Sequence, residues 1–115
     1  MAALGMISFS SEDTDRAWAI IRLIAETSKV DVLDLCSHNQ TQRVTLIRQI
    51  AFYLIRSETK LTWEGIGAMF DGHDHSTVWH GRNVIAARMA ASTAFAMRIN
   101  EMRAALRGER GKEAA

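Results

Sequence analysis

No proline interrupts this chain of 115 residues, and 17 of them are alanine. Proline is the costliest residue in a helix interior and alanine the least costly, so the chain is written for helices. Alternating apolar and polar runs bounded by turn residues, the mark of strands, are scarce. The expectation is an all-α fold, and 115 residues leave room for one domain.

Charge and apolar content narrow the class. Fourteen Lys and Arg stand against 13 Asp and Glu, for a net charge of +1. With 48% hydrophobic and 23% charged residues this is a globular composition, which excludes a disordered tail, a polybasic arm or an acidic solvating segment. Apolar runs such as Ala17–Ile21 are too short to span a membrane. Met1–Ser11 lacks a basic start and a cleavage site, so a secretory leader is not expected. Cys36 has no second cysteine to pair with, which excludes an internal disulfide and zinc sites built on paired cysteines. The cytoplasm is the expected location.

Helix signals divide the chain. Residues 1–11 read as a loosely ordered lead-in, 12–108 as the folded domain and 109–115 as a frayed end. Ser11 or Thr14 can cap a helix over Thr14–Thr27, with Trp18, Ile21, Leu23, Ile24 and Ala25 as its apolar face. Val30–Leu35 makes a turn or two of helix, and Ser37–Gln42 is a polar loop. Val44, Ile47, Ile50, Ala51, Leu54 and Ile55 set a helix over Gln42–Thr59. Thr62 caps a short helix over Trp63–Phe70, Asp71–Asp74 turns, and a longer helix runs from Asp74 or His75 to Ala90. Ser92 or Thr93 starts a last helix that carries Phe95, Ile99, Met102 and Leu106 in one stripe and ends at Gly108. Trp18 is expected in the core, Trp79 in the core in preference to stacking on bases, as Trp63 could also do, and Cys36 as a small buried apolar residue.

A short helix, a glycine-containing turn and a longer helix form a helix-turn-helix. In that motif the start of the second helix enters the major groove of DNA. Here the first turn reads Asp74-His75-Ser76-Thr77, short polar side chains that let a helix end approach base edges. Free amides at that end also attract phosphate.

The residues Ile66-Gly67-Ala68-Met69-Phe70-Asp71-Gly72-His73-Asp74-His75-Ser76-Thr77-Val78-Trp79-His80 resemble the signature of the C-terminal DNA-binding domain of the DnaA family of bacterial replication initiators. Upstream, Arg48-Gln49-Ile50-Ala51-Phe52-Tyr53-Leu54 resembles a second family motif, and the resemblance spans roughly Thr14–Leu106. It implies a compact, Trp-repressor-like bundle of about six helices that binds duplex DNA. It also implies roles. Asp74, His75, Ser76 and Thr77 read bases. Arg48, Gln49, Arg56, Thr62, Trp63, His73, His80 and Arg82 lie along the phosphate backbone. Gln40 and Arg43 lie on a loop that enters the minor groove. Lone domains of this type resemble regulators of phages and gene transfer agents, so a transcription regulator working with a second regulatory protein or RNA polymerase is expected.

Departures from the family pattern fall at the contacts. The turn arginine is His73, the minor-groove arginine aligns with Gln40, and a basic residue late in the second helix is Val84. A target site other than the initiator's box follows. No glycine-rich loop ending in Gly-Lys-Ser or Gly-Lys-Thr is present, so no nucleotide, cofactor or enzymatic activity is expected. No metal is expected either, because His75 and His80, five residues apart, point about 140° away from each other on a helix. Two other uses remain open: occupation of origin sites, and a protein-interaction module that has lost DNA binding.

Overall fold

The computed structural model describes residues 11–114. Residues 1–10 of the expected lead-in lie outside them. Six helices are present among the described residues, with no strand: α1 Ser11–Ser28, α2 Val32–Leu35, α3 Gln42–Glu58, α4 Trp63–Met69, α5 His75–Ala91 and α6 Thr93–Ala114. The expected all-α class and helix number are both found.

Helix α1 buries Ala17, Ile20, Ile21, Ile24 and Ala25, a stripe at helical spacing. Trp18 and Leu23 flank that stripe and are only partly buried. Lys29 ends the helix at φ 57°, in the left-handed region. Its amide donates to the Glu26 carbonyl and that of Val30 to the Ala25 carbonyl, the paired bonds of a Schellman stop in a position that glycine usually fills. Val30 then packs on the core.

The polar segment between α2 and α3 is held by its own side chains. Asp31 caps α2 through the Leu33 amide, Ser37 Oγ donates to the Asp34 carbonyl, and Asn39 Oδ1 accepts from the Thr41 amide. Helix α3 is the central element, with α1 packed on one side and α5 on another. It buries Ile50, Ala51, Phe52, Leu54 and Ile55. Phe52 meets Phe70 edge-on, ring centroids 4.8 Å apart. Close approach of α5 to α3 depends on Gly81, where a Cβ would stand 2.9 Å from the Phe52 ring and 3.0 Å from Gln49 Cγ.

A single residue, Ser92, separates α5 from α6, and its hydroxyl caps the latter through the Phe95 amide at 3.2 Å. Ile99 and Leu106 are buried and Phe95 and Met102 partly so, as the stripe predicts. Gly108 does not end α6, which continues to Ala114. Gly108 lacks the positive φ of a helix stop, and nothing stands within 4 Å of where its Cβ would be, so a helical backbone passes through it unopposed. The Glu58 carboxylate, 6% exposed, pins α6 in place. Arg16 of α1 stands 3.6 Å from it, and Arg103 and Arg107 of α6 stand at 3.5 and 3.3 Å. Among the described residues no helix is long and apolar enough to cross a membrane.

Candidate nucleic-acid interface

Helices α4 and α5 meet through a turn with little freedom. Thr62 caps α4, its hydroxyl accepting from the Gly65 amide at 2.9 Å. At the other end the Gly67 carbonyl accepts from both Phe70 and His73 amides at 3.0 Å. Asp71 (φ 57°) and Gly72 (φ 73°) both take the left-handed conformation that reverses the chain. Aspartate is among the few side chains that tolerate it. A Cβ on Gly67 would overlap the His73 carbonyl oxygen, so only glycine permits the turn to fold back against α4.

That turn is latched to the loop before α3. His73 Nε2–H donates to the Ser37 carbonyl at 2.9 Å, and His38 Nε2–H donates to the Asp71 carbonyl at 2.8 Å. The two rings stack, centroids 4.1 Å apart. Burial, with the neighbouring His38 and Arg48, holds His73 below the ordinary histidine value, so the ring is neutral at pH 7. His73, expected against phosphate, is therefore half-buried and committed to Ser37.

The tip of α5 stands clear of the protein. Asp74, His75, Ser76 and Thr77 are all exposed. Asp74 is the N-cap and accepts from the Ser76 amide at 3.2 Å and from the Ser76 hydroxyl. His75 Nδ1 lies 3.4 Å from the same carboxylate. The Ser76 hydrogen bonds, then the His75 charge, hold the Asp74 carboxyl below its ordinary value, so it is ionised at neutral pH. This alters one expectation. The amides at this tip do not lie bare for phosphate, because Asp74 covers them. What the tip offers is a carboxylate beside hydroxyls, a set that suits the exocyclic amines of bases.

Elsewhere the arginines are more committed than the sequence suggests. Arg48 is 4% exposed. Its Nε donates to the Leu35 carbonyl at 2.8 Å and one terminal nitrogen to the Asp34 carbonyl at 3.2 Å, which ties α3 to the end of α2. Burial pulls its guanidinium below the ordinary value. The outward face expected for Arg48 is not where the fold puts it. Cys36 beside it is half-buried, and burial raises its thiol against the opposing pull of Arg48, so it stays protonated at neutral pH. Arg43 is exposed but donates to the Ser28 carbonyl at the end of α1. Arg56 donates to the Leu61 carbonyl at 2.8 Å and lies 4.5 Å over the Trp63 ring. Gln49 is half-buried beside Gly81, Gln40 and His80 are exposed, and Arg82 donates to Asn83 Oδ1 at 2.8 Å.

Trp79 is the clearest miss. It is 53% exposed, not core. Val78, Gly81 and Ile85 already occupy the inward face of α5, and at 100° per residue Trp79 falls outside that arc. The helical register set by Val78 and Ile85 carried that signal. Among the described residues no group of three or more His, Cys, Asp or Glu could hold a metal ion.

The model of the bacterial dnaA protein helix-turn-helix matches residues 18–85, a span that begins within α1, includes all of α4 and ends within α5. The chain belongs to this family. Membership in the DnaA helix-turn-helix family implies DNA binding. Similar proteins include the chromosomal replication initiator protein DnaA of Chloroflexus aurantiacus, 30% identical over 95 residues that cover 83% of this chain and 20% of that protein. Those of Oenococcus oeni and Gloeothece citriformis are 35% and 42% identical over 72% and 57% of this chain, and 18% and 15% of their own lengths. The chain thus spans a fifth or less of these relatives.

Proposed function

We propose that this domain reads a specific duplex sequence and acts in transcription regulation. Asp74, His75, Ser76 and Thr77 face base edges in the major groove. Gln49, Arg56, Thr62, Trp63, His80 and Arg82 lie along the phosphates. Gln40 and Arg43 approach the minor groove, Arg43 by releasing the Ser28 carbonyl. The observation that carries this reading is the tip of α5, four consecutive exposed polar residues on a helix seated through Gly67, Gly81 and the His38–His73 latch. The altered positions Gln40, His73 and Val84 favour a target other than the initiator's box, hence promoters over an origin, with a second regulatory protein or RNA polymerase as partner.

Selection of bound duplexes from a random pool tests the first part. A defined motif is expected, with a salt slope that grows by about 0.9 per phosphate contacted. His75→Ala is expected to relax one base position at a cost of roughly 1–3 kcal/mol. No enrichment and a flat slope would instead leave a protein-interaction module. Genome-wide mapping tests the second part, with sites at promoters expected. Sites confined to an origin would favour a role in initiation, the process for which the similar DnaA proteins are named.

A further inference from the structure

Exposed apolar side chains scattered over a surface need no explanation, so the exposure of Trp79 means little by itself. Its position is what carries weight. Trp79 is the fifth residue of α5, and at 53% exposure it is the one large hydrophobic side chain that this helix leaves in solvent among the described residues. Ser76 and Asn83 lie three residues before and four after it, one turn to either side on the same outward strip, with His80 adjacent. Val78, Gly81 and Ile85 hold the opposite strip against the core, which fixes the rotation of the helix and keeps Trp79 outward. Long side chains on a helix lean toward its amino end. The indole therefore reaches over the turn that bears His75 and Ser76, beside the tip and not away from it.

We propose that Trp79 is a specificity residue that packs its indole on the methyl group of a thymine in the major groove. This rests on the reading of α5 as the helix in that groove. Two features favour a methyl over a phosphate as the partner. The reading tip is already anionic through Asp74, so nearby recognition gains more from an apolar contact than from a bare attraction to phosphate. The thymine methyl is also the one apolar feature that a base pair shows in the major groove. Asn83, whose Oδ1 accepts from Arg82 at 2.8 Å, leaves its amide donors on the same strip to face the backbone beyond the indole.

The test uses the full chain and its selected duplex, with each thymine in turn replaced by deoxyuridine, which removes only the methyl. Wild type is expected to lose affinity about fourfold at one thymine. Trp79→Ala is expected to bind more weakly and to show no further loss from uridine at that position, while Trp79→Phe keeps part of the discrimination. Because the side chain is exposed, helical circular dichroism and melting temperature are expected to stay unchanged in both variants. If Trp79→Ala binds as wild type does, or weakens every duplex alike with the uridine effect intact, the assignment is overturned while DNA reading by the tip stands. If wild type binds no duplex, both fall together.

Discussion

His38 and His73 stack with their planes 24° apart, and each ring's Nε2–H is spent on a carbonyl of the other's segment. Two separate polar stretches, the loop before α3 and the turn before α5, are thereby held as one surface. Because both Nε2 protons are committed, an added proton goes to Nδ1 and places positive charge on a stacked ring.

The stability of the latch is therefore expected to fall in acid. His73 has a folded value below the ordinary 6.5, so the unfolded chain takes up the proton first. Its contribution is fully present above about pH 6.5 and is lost as pH falls through the folded value. Urea denaturation at pH 7.5 and at 5 measures this, and His73→Gln is expected to flatten part of the difference. An equal slope in the variant would place the acid sensitivity elsewhere.

Gly67→Ala sets two effects against each other. Alanine in a helix gains up to about 1 kcal/mol over glycine. The new methyl would overlap the His73 backbone carbonyl, which cannot step aside without opening the turn. A net loss of about 3 kcal/mol is expected. Gly108→Ala, with open space at the same atom, serves as the control and is expected to be neutral or stabilising.

Arg48→Met separates a structural arginine from a phosphate contact. Loss of its bonds to Leu35 and Asp34 is expected to cost roughly 1–3 kcal/mol of stability, with little change in the salt slope of binding. A slope smaller by about 0.9 at unchanged stability would return Arg48 to the phosphate backbone.

Glu58→Gln keeps the shape of the side chain and removes the charge that offsets Arg16 and Arg103, which are 12% and 21% exposed. Nitrogens of both arginines are buried without a hydrogen bond, so the carboxylate is their main compensation. A loss of about 3 kcal/mol is expected by thermal denaturation. Arg107→Ala, at 64% exposure, is expected to change stability by less than about 1 kcal/mol.

Helix order and the motif are legible in the chain because they rest on local signals. Absent proline, apolar spacing and caps at Thr62, Asp74 and Ser92 place the start of each helix within a few residues. The same holds for the exposed tip, where four polar residues follow a turn. The fate of single side chains is a tertiary matter. Arg48 and Arg43 look alike in sequence, and only the folded chain shows that both lie within reach of carbonyls at the ends of other helices. The His38–His73 stack joins residues 35 apart in sequence, and Gly108 stays helical because its backbone is not forced into a stop. Trp79 is the exception that pattern reading can recover, since its neighbours Val78, Gly81 and Ile85 already fill the inner strip.

The cap at Asp74 binds recognition to foldedness. One carboxylate both starts α5 and stands in the exposed row that we propose faces the bases. Selection for a new operator would meet a penalty there that has nothing to do with DNA, because losing the cap destabilises the start of the helix before any base is read. Divergence of targets within such domains should then proceed through His75, Thr77 and Trp79, whose side chains hold no helix end, while the aspartate stays as a fixed point around which the readout drifts.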